Sequence, residues 1–284
     1  MSKLDELKND EYFASLFSKN NLSDDILNKN VERLYRIFKS RQLCANCNGL
    51  NMCKQLSKGE RLSVIYDDVF IEEVEVCDYK RTILDKKEIV NAYVYCDVPE
   101  KLIDIDLNNI NYTKEQEELY YLLAAILHKK TNKGLYIVGD LGVGKTYLSV
   151  ALANSLVKNN EKVAFLKTSN FFNEMKSYIV NNSYMIERNI EKLKKVTYLF
   201  IDDIGAESVS EFVRDDILLN VLDYRLENGL ITIFTSNLNK SDLLNHYTYD
   251  RKDNSNKMKA KRLLERIDIL TNDYALLGQD KRRI

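Results

Sequence analysis

The sequence predicts an α/β fold, a parallel sheet with helices on both faces, preceded by a small helical domain. After residue 133, four short apolar runs of strand type (LYIVG, VAFLKT, YLFIDD and LITIFTS) are each followed by a longer amphipathic segment, as is typical of such a sheet. Near the start of the chain, apolar residues recur at helical spacing instead. The single proline, Pro99, lies between the two patterns and disfavours helix at the residue before it. We therefore expect an N-terminal domain at 1–98, a linker at 99–113 and a second domain at 114–284.

Composition and charge exclude a membrane protein and give no global attraction for nucleic acid. The 284 residues are 45% hydrophobic and 30% charged with a net charge of −1, so a polyanion site must be a local basic patch. No run approaches the roughly 18 apolar residues of a membrane span, and the start, MSKLDELKNDEYF, is too charged for a signal peptide. We expect a cytoplasmic protein with no membrane partner. Five cysteines in that compartment favour metal binding, catalysis or burial over disulfides.

The N-terminal domain begins with two predicted helices. Segments 5–20 and 24–42 both have apolar residues at helical spacing and open near Asp or Ser residues that cap helices. Segment 63–76, SVIYDDVFIEEVEV, alternates apolar residues with acids and predicts a strand pair or short hairpin.

Three cysteines between the helices and the hairpin predict a zinc site. Cys44 and Cys47 form a C-x₂-C pair, and Cys53 follows closely. Tetrahedral Zn²⁺ takes four thiolate or imidazole ligands from such closely spaced positions. The alternative is that these are buried structural thiols, because free cysteine is often found in cores.

The fourth zinc ligand is open between Cys77 and Cys96. Both histidines, His128 and His246, fall beyond the predicted linker. We prefer Cys77, because it directly follows the predicted hairpin, which can fold back over the cysteine pair. A site with four protein ligands is structural, since it leaves no position open for water.

The stretch GDLGVGKT predicts a nucleotide site. It matches G-x-x-x-x-G-K-[ST] directly after a predicted strand and directly before a predicted helix, which are the two contexts that this motif requires. Glycine allows backbone N–H groups to converge on phosphate oxygens, Lys145 adds an ammonium for the β- and γ-phosphates, and Thr146 supplies a hydroxyl for Mg²⁺. The alternative, a glycine-rich strand-to-helix turn, does not explain the complete match. The predicted ATP contacts are Gly139, Asp140, Leu141, Gly142, Val143, Gly144, Lys145, Thr146 and Tyr147.

Carboxylates at the end of the strand YLFIDD complete the predicted site. Strand ends facing the crevice of an open α/β sheet are where ligands bind. Asp202 is the predicted Mg²⁺ partner, and Asp203 is positioned to orient or deprotonate an attacking water. The alternative is that Asp202 only caps the following turn.

Three further polar residues are candidates for reading the nucleotide state. Asn237 ends the strand LITIFTS, where its amide can bond the γ-phosphate or the attacking water, although Thr-Ser-Asn also makes ordinary turns. Arg262 and Arg266 lie four residues apart on one face of a predicted helix. They form either a solvated face or, in an ATPase, an arginine finger for a neighbouring subunit.

The motifs DDIGAE, VRDD, TSN and RLLER, together with the P-loop, resemble the ATPase domain of the DnaI/DnaC family of bacterial helicase loaders. The resemblance covers nearly everything after Pro99 and is greatest for the DnaI branch. It implies an AAA+ ATPase that binds the hexameric replicative helicase and assists its placement on single-stranded DNA. It assigns Lys145 and Thr146 to Walker A, Asp202 and Asp203 to Walker B, Asn237 to sensor 1 and Arg266 to the arginine finger.

The resemblance also sets further expectations for this chain. Asp203 departs from the glutamate that is common in AAA+ proteins, so we expect slow hydrolysis stimulated by partners. Too few residues follow Arg266 for a helical lid, which implies a lidless AAA+ core with Arg282 or Arg283 as sensor 2. Loaders of the DnaI type have a zinc-containing N-terminal domain that contacts the helicase. Other primosome proteins and a nucleotide-dependent homo-oligomer complete the expected partners.

Single-stranded DNA is predicted to contact segment 167–189. This segment interleaves aromatic and basic side chains, the combination that suits base stacking and phosphate contacts. They are Phe171, Phe172, Tyr178, Tyr184, Lys167, Lys176 and Arg188. In the family it resembles the extra helical element that lines a DNA-facing channel. The alternative is that Phe171 and Phe172 are core residues.

The leading hypothesis is an ATP-dependent helicase loader in which hydrolysis times release, acting in replication initiation or restart. One rival is a nucleotide-gated helicase adaptor that does not hydrolyse ATP. The other is the helper ATPase of certain transposons, which shares the ATPase core but lacks the cysteine pair.

Overall fold

The structure, a computed structural model, describes residues 2–248 and 254–281. The chain divides into two compact units, Met1–Lys87 and Glu88–Ile284. The boundary predicted near Pro99 and the linker at 99–113 stay predictions. Within the second unit, Ile103, Leu107 and Ile110 of that segment are buried in the hydrophobic core.

The first unit packs helices against a β-hairpin. Ser2 caps the first helix by accepting the backbone N–H of Asp5, and Asp10 caps the second in the same way from Phe13. The predicted helical segment 24–42 forms one helix, segment 5–20 is divided into two helices at Asp10, and the predicted hairpin is found. The elements are α1 (Lys3–Asn9), α2 (Glu11–Lys19), α3 (Asp24–Gln42), β1 (Glu60–Asp67) and β2 (Val69–Val76), with a 3₁₀ turn at Leu50–Met52. The helix α4 (Asp78–Ala92) crosses the division between the units.

The core of the first unit joins the helices to one face of the hairpin. Phe13 and Phe38 contribute from the helices, and Val64 and Phe70 contribute from the hairpin. The strands pair antiparallel, with Tyr66 opposite Phe70. Side chains on alternate strand positions share a face, so this register places the apolar residues towards the helices.

The second unit contains a six-stranded sheet in the order β3-β5-β6-β7-β4-β8, and all its pairings are parallel. The α/β class predicted from the alternation of apolar runs is confirmed. The strands are β3 (Tyr95–Cys96), β4 (Gly134–Val138), β5 (Val163–Lys167), β6 (Tyr198–Asp202), β7 (Ile231–Ser236) and β8 (Thr271–Ala275).

Helices enclose this sheet, whose central strands are almost completely buried. A π-helical stretch at Phe212–Leu219 leads directly into one of them. Among the described residues, α11 is followed by β8 and by no further α-helix. The helices are α5 (Lys114–Leu127), α6 (Lys145–Lys158), α7 (Thr168–Tyr178), α8 (Ser183–Lys195), α9 (Asn220–Glu227), α10 (Lys240–Tyr247) and α11 (Asn254–Leu270). None of the described helices is long and apolar enough to cross a membrane.

Parallel pairing brings the carboxyl ends of four strands to one edge of the sheet. Lys167 is in register with Asp202, and Val138 is in register with Ser236. The residues that follow these strands therefore lie side by side, which is the general position of ligand sites in open α/β sheets.

The expectation that Phe171 and Phe172 stack on DNA bases is wrong. Both belong to α7 and are 0% and 1% exposed in the core beneath the sheet. Adjacent aromatic residues on a helix satisfy both a core pattern and a binding pattern, so the sequence could not separate the two. Tyr184, at 68% exposure, stays accessible.

Candidate functional site

The stretch GDLGVGKT forms a loop between β4 and α6 whose backbone geometry needs glycine. Gly142 and Gly144 have φ values of +80° and +107°, in the left-handed region that side chains disfavour. A Cβ on Gly144 would lie 2.3 Å from Nε2 of Gln116. Within the described part of the chain no side chain caps the N-terminus of α6, so its first N–H groups and its positive dipole end face the loop. The result is a cradle for anionic groups.

Lys145 is 6% exposed and its ammonium is held across the cradle. Its Nζ donates to the carbonyls of Gly139 at 2.7 Å and Asp140 at 2.8 Å, and to Oδ1 of Asn237 at 2.7 Å. The end of β7 and the loop after β4 therefore meet at one cation. Lys145 and Asn237 are 92 positions apart in the sequence, but the P-loop and Asn237 follow two neighbouring strands, β4 and β7, which accounts for the contact.

Asp202 is a buried carboxylate behind the P-loop. It is 3% exposed, and its Oδ1 accepts from the hydroxyls of Thr146 at 2.9 Å and Thr235 at 2.6 Å. Burial, reinforced by the charge of Asp203, raises its pKa to about 6. A buried carboxylate whose hydrogen-bond donors are neutral hydroxyls fits a cation. Thr146 and Asp202 thus have the oxygen chemistry that Mg²⁺ prefers.

Asp203 is paired with a lysine rather than with hydroxyl groups. Its φ is +58°, and its backbone N–H donates to the Thr235 hydroxyl at 2.9 Å. Its Oδ2 lies 3.2 Å from Nζ of Lys167. The hydroxyl of Thr168 donates to its carbonyl at 2.8 Å. Two adjacent residues are thereby given different surroundings, with one carboxylate buried and the other facing a cation.

A cavity of about 590 Å³ lies over the P-loop. Its lining includes four lysines, Lys101, Lys145, Lys167 and Lys281, and one acidic residue, Asp203, so the net charge of the lining suits a polyphosphate. The lining residues that the sequence predicts are Leu141, Gly142, Gly144, Lys145, Thr146, Tyr147, Asp203 and Asn237. The lining residues that it did not predict as nucleotide contacts are Pro99, Lys101, Leu102, Asn111, Thr113, Gln116, Lys167 and Lys281.

Two of the missed residues have a signal in the sequence. Lys167 ends β5, and the strand-end rule that selects Asp202 applies equally to it. Gln116 ends the stretch Thr-Lys-Glu-Gln, a capping-box pattern at the start of a helix. Its Oε1 accepts the N–H of Thr113 at 3.2 Å, while its Nε2 donates to the carbonyl of Val143 at 2.9 Å. Gln116 therefore ties the start of α5 to the P-loop.

Arg266 lies apart from the cavity and is paired with an acid. Its Nε donates to Oδ1 of Asp223 at 2.5 Å, and Nη2 of Arg262 donates to the other oxygen at 2.9 Å. The hydrogen bond to Asp223 raises the pKa of Arg266. One carboxylate of α9 thus holds both arginines of α11. Arg282 and Arg283, the expected sensor 2 candidates, lie outside the described residues.

Four cysteines of the first unit line one small cavity of about 130 Å³. They are Cys44, Cys47, Cys53 and Cys77, all free thiols. Cys96 lies in β3 of the second unit. Among residues 2–248 and 254–281, no three His, Cys, Asp or Glu side chains are arranged to hold a metal ion. Zinc ligation would therefore require the four thiols to move closer together.

A hydrogen bond holds Cys77 at the cavity, and N–H groups donate to two of the other cysteine sulfurs. The N–H of Cys77 donates to the carbonyl of Gly59 at 2.8 Å, and the N–H of Gly59 points at Sγ of Cys53 at 3.4 Å. Gln55 donates to Sγ of Cys44 at 3.2 Å. Donation from backbone N–H groups lowers the pKa of Cys53. N–H donors at sulfur favour the thiolate, so the donor set fits a soft metal ion.

Comparisons with known proteins bear on both units. The sequence profile of the family described as IstB-like ATP binding protein matches residues 89–267. The replicative helicase loader DnaI of Bacillus subtilis (strain 168) is 26% identical over 267 residues, covering 92% of this chain and 85% of that protein. An alignment of this extent cannot be contained in the second unit, so it continues into the first.

Solved structures of the same family are also similar to this chain. The crystal structure of DnaI is 30% identical with a TM-score of 0.58, covering 69% of this chain and 100% of the other. A candidate primosome component from Streptococcus pyogenes serotype M3 is 28% identical with a TM-score of 0.55, covering 69% and 98%. The predicted resemblance to the DnaI/DnaC family is confirmed.

Proposed function

This chain belongs to the family of IstB-like ATP-binding proteins, and from that premise we propose that it is an ATP-dependent loader of the hexameric replicative DNA helicase. It places the helicase on single-stranded DNA during replication initiation or restart in the cytoplasm, and ATP hydrolysis switches its release. The observation that carries this proposal is the extent of the similarity to a replicative helicase loader. It covers 92% of the chain and so includes residues that the ATP-binding family match leaves out.

ATP binds in the cavity over the P-loop with its phosphates on the cradle. The N–H groups of the loop and of the first turn of α6 donate to phosphate oxygens, and Lys145 exchanges its carbonyl partners for the β- and γ-phosphates. Asn237, already bonded to Lys145 at 2.7 Å, is within reach of the γ-phosphate when that exchange occurs. The presence or absence of the γ-phosphate thereby changes the contacts of β7.

Hydrolysis uses the two carboxylates in separate roles. Asp202 and Thr146 hold Mg²⁺, which supplies the positive charge that offsets the phosphates. Asp203 orients the attacking water and accepts its proton. Lys167, 3.2 Å from Asp203, sets the direction of that carboxylate. An aspartate is one methylene shorter than the usual glutamate, so we expect slow turnover until a partner closes the site.

Arg266 acts as an arginine finger in a nucleotide-dependent homo-oligomer. In the isolated chain it is 21% exposed and bonded to Asp223, so it must leave that carboxylate to reach a neighbouring subunit's ATP. This exchange makes hydrolysis depend on assembly. A finger with an intramolecular partner stays ordered before assembly.

The first unit binds zinc through Cys44, Cys47, Cys53 and Cys77 and contacts the helicase. Support comes from the shared cavity of these four thiols and from the N–H donors at Cys44 and Cys53. The zinc is structural, because all four ligands come from the protein. Its binding draws the turn after α3 against the end of β2.

Single-stranded DNA binds along α7 and α8 through accessible side chains. Tyr184 offers a ring for base stacking, and Lys176 and Arg188 offer cations for phosphates. Tyr178 is less suited, since its hydroxyl donates to Glu174 at 2.7 Å. Other primosome proteins complete the assembly.

A second candidate function is that of a transposon helper ATPase. The specific observation in its favour is the family match, whose name refers to the insertion sequence IS21. That match begins at residue 89 and so leaves the cysteine cavity outside it. A nucleotide-gated adaptor that does not hydrolyse ATP is the other alternative.

The test is helicase loading by the full chain onto circular single-stranded DNA. Helicase retained on the circle is measured with wild type, with Cys44→Ser and with Asp202→Ala. We expect loading only by the wild type. If the wild type loads nothing and fails to capture the helicase from solution, the loader proposal is wrong and the transposon helper function gains support. Loading by Asp202→Ala at the wild-type level supports the non-hydrolysing adaptor.

A further inference from the structure

The last described segment of the chain, residues 276–281, runs beside the P-loop. The N–H of Leu276 donates to the carbonyl of Val138 at 2.7 Å, directly after β8 has paired with β4. The carbonyl oxygen of Leu276 lies 2.3 Å from the position that a Cβ on Gly139 would take. The first glycine of GDLGVGKT is therefore also needed for this close approach.

A second point of attachment lies at the other end of the segment. The N–H of Lys281 donates to the carbonyl of Gly142 at 3.1 Å, and its Nζ donates to the hydroxyl of Thr113 at 3.2 Å. Lys281 lines the nucleotide cavity. Gly278, with φ at +149°, allows the chain to bend between the two attachments.

The cations of the cavity differ in their partners. The ammonium of Lys145 has carbonyl and amide oxygens around it, and that of Lys167 has the carboxylate of Asp203. The side-chain bond of Lys281 is to the Thr113 hydroxyl, a neutral group. Burial lowers the pKa of Lys281, while Glu115 opposes that shift. An anion in the cavity is a better partner for this ammonium than a hydroxyl.

We propose that Lys281 binds a phosphate of the nucleotide and that residues 276–281 are a strap that the bound nucleotide holds more firmly against the P-loop. On binding, Nζ of Lys281 exchanges the Thr113 hydroxyl for a phosphate oxygen, while the Gly142 carbonyl keeps the backbone of the strap in place. This inference rests on the proposed ATP binding at the P-loop. It assigns to the end of the chain a contact that is independent of the loop itself.

Thr113 connects this exchange of partners to the start of α5. Its backbone N–H donates to Oε1 of Gln116, and Nε2 of Gln116 donates to the carbonyl of Val143. Release of the Thr113 hydroxyl from Lys281 therefore changes a cap that is bonded to the P-loop. The strap, the cap and the loop form one connected set of hydrogen bonds.

The test measures binding of ATP and of adenosine to the full chain by titration calorimetry. The variants are Lys281→Ala, Lys281→Arg and Lys133→Ala. Lys133 is an exposed lysine before β4, at the opposite end of that strand from the P-loop. Because a charge-assisted hydrogen bond is about twice as strong as a neutral one, we expect Lys281→Ala to weaken ATP binding by about tenfold to a hundredfold. Lys281→Arg should stay within about threefold, and Lys133→Ala should match the wild type, since both variants keep a cation at position 281.

Adenosine separates a phosphate contact from a structural role. We expect Lys281→Ala to bind adenosine as the wild type does, because adenosine carries no phosphate. Equal losses for adenosine and ATP, or wild-type ATP affinity in Lys281→Ala, would overturn the proposal. Lys145→Ala is titrated beside them. If it loses ATP binding while Lys281→Ala does not, the strap is wrong and the P-loop assignment stands. If the wild type binds no ATP, the proposed function itself is wrong.

Hydrogen exchange of the backbone amides provides the second measurement. ATP should slow exchange in residues 276–281 of the wild type and have little effect there in Lys281→Ala at saturating ATP. Equal protection in both proteins would contradict a strap held by Lys281. Wild-type exchange in β4 and α6 of the variant confirms that it is folded.

Discussion

The nucleotide cavity and the cysteine cavity differ in what holds their functional groups in place. Around the P-loop, Lys145 and Thr146 begin α6, Asp202 ends β6, and Lys145 bonds Asn237 directly after β7. Around the cysteines, the thiols lie on turns after α3, after a 3₁₀ turn and after β2. The groups of the first site are held by hydrogen bonds at strand ends and at the start of a helix, whereas the second site holds four free thiols near one another.

This difference predicts opposite responses to loss of the ligand. A site built from backbone and sheet edges keeps its shape without nucleotide, so removing a contact costs affinity. Under the proposed zinc ligation, a site built from thiols on turns gains its order from the metal, so removing a ligand costs folding free energy. The largest expected loss of free energy therefore follows from substitution of a cysteine, and the smallest follows from substitution in a surface ion pair.

Loss of zinc should unfold the cysteine region and leave ATP binding unchanged. Since structural zinc binding is worth on the order of 10 kcal/mol in small metal domains, Cys44→Ser or a chelator should expose residues 1–87 to protease. Zinc per chain and the ATP affinity are measured in parallel. Cys96→Ser is the matched control and should keep its zinc. If Cys77→Ser keeps its zinc and Cys96→Ser loses it, the fourth ligand is Cys96 and not Cys77.

Removal of the P-loop ammonium should abolish ATP binding without affecting the first unit. Lys145→Ala loses the cation that bonds Gly139, Asp140 and Asn237. As each hydrogen bond to a charged group contributes about 1.5–3 kcal/mol, we expect at least about a hundredfold weaker ATP binding. Calorimetry measures the affinity, and Lys133→Ala is the matched lysine control. Lower zinc content in Lys145→Ala would contradict the independence of the two sites.

The buried Asp202 should make the nucleotide-free chain less stable as pH rises from about 4 to about 6. Its pKa is raised from 3.8 to about 6, so the folded chain keeps a proton that the unfolded chain has released. Folding is favoured by protonation in this window, and the unfolding free energy should fall by at most about 3 kcal/mol across it. Denaturant titrations at several pH values compare wild type with Asp202→Asn, which cannot titrate. Parallel pH profiles for the two proteins would contradict this account.

Release of Arg266 from its partner should have the smallest effect on stability. Because surface ion pairs contribute about 0–1 kcal/mol, Asp223→Asn should change the unfolding free energy by less than about 1 kcal/mol. If Arg266 must leave Asp223 to act, Asp223→Asn should hydrolyse ATP faster than the wild type at high chain concentration. The increase should be up to about fivefold if breaking the ion pair costs about 1 kcal/mol. Asp268→Asn is the control, because Asp268 lies on another face of α11 and its carboxylate pairs with Lys240 of α10. Hydrolysis lowered as far as in Arg266→Ala would show that Asp223 positions the finger instead.

Local patterns explain which parts of the site the sequence could predict. A short apolar run predicts a strand, and the residues that follow it are then placed at the strand end. This applies to the glycines of the P-loop, Asp202 and Asn237. The cysteine pair and the hairpin before Cys77 are equally local. Their positions follow from secondary structure alone.

Long-range packing explains what the sequence did not predict. Lys281 bonds Thr113 across 168 positions, and Asp223 bonds Arg266 across 43. Phe171 fits a core pattern and a binding pattern equally well, and only the packing against the sheet decides between them. Such contacts depend on which elements become neighbours, which a one-dimensional pattern does not contain.

The most direct test of the proposed ATPase site is single-turnover hydrolysis. The full chain, purified with added Zn²⁺, is mixed with limiting ATP, Mg²⁺, the hexameric helicase and single-stranded DNA, and released phosphate is measured against Asp202→Ala. We predict that the wild type converts its bound ATP to ADP and phosphate while the variant retains it. Phosphate release by the wild type no greater than that of Asp202→Ala would contradict the ATPase.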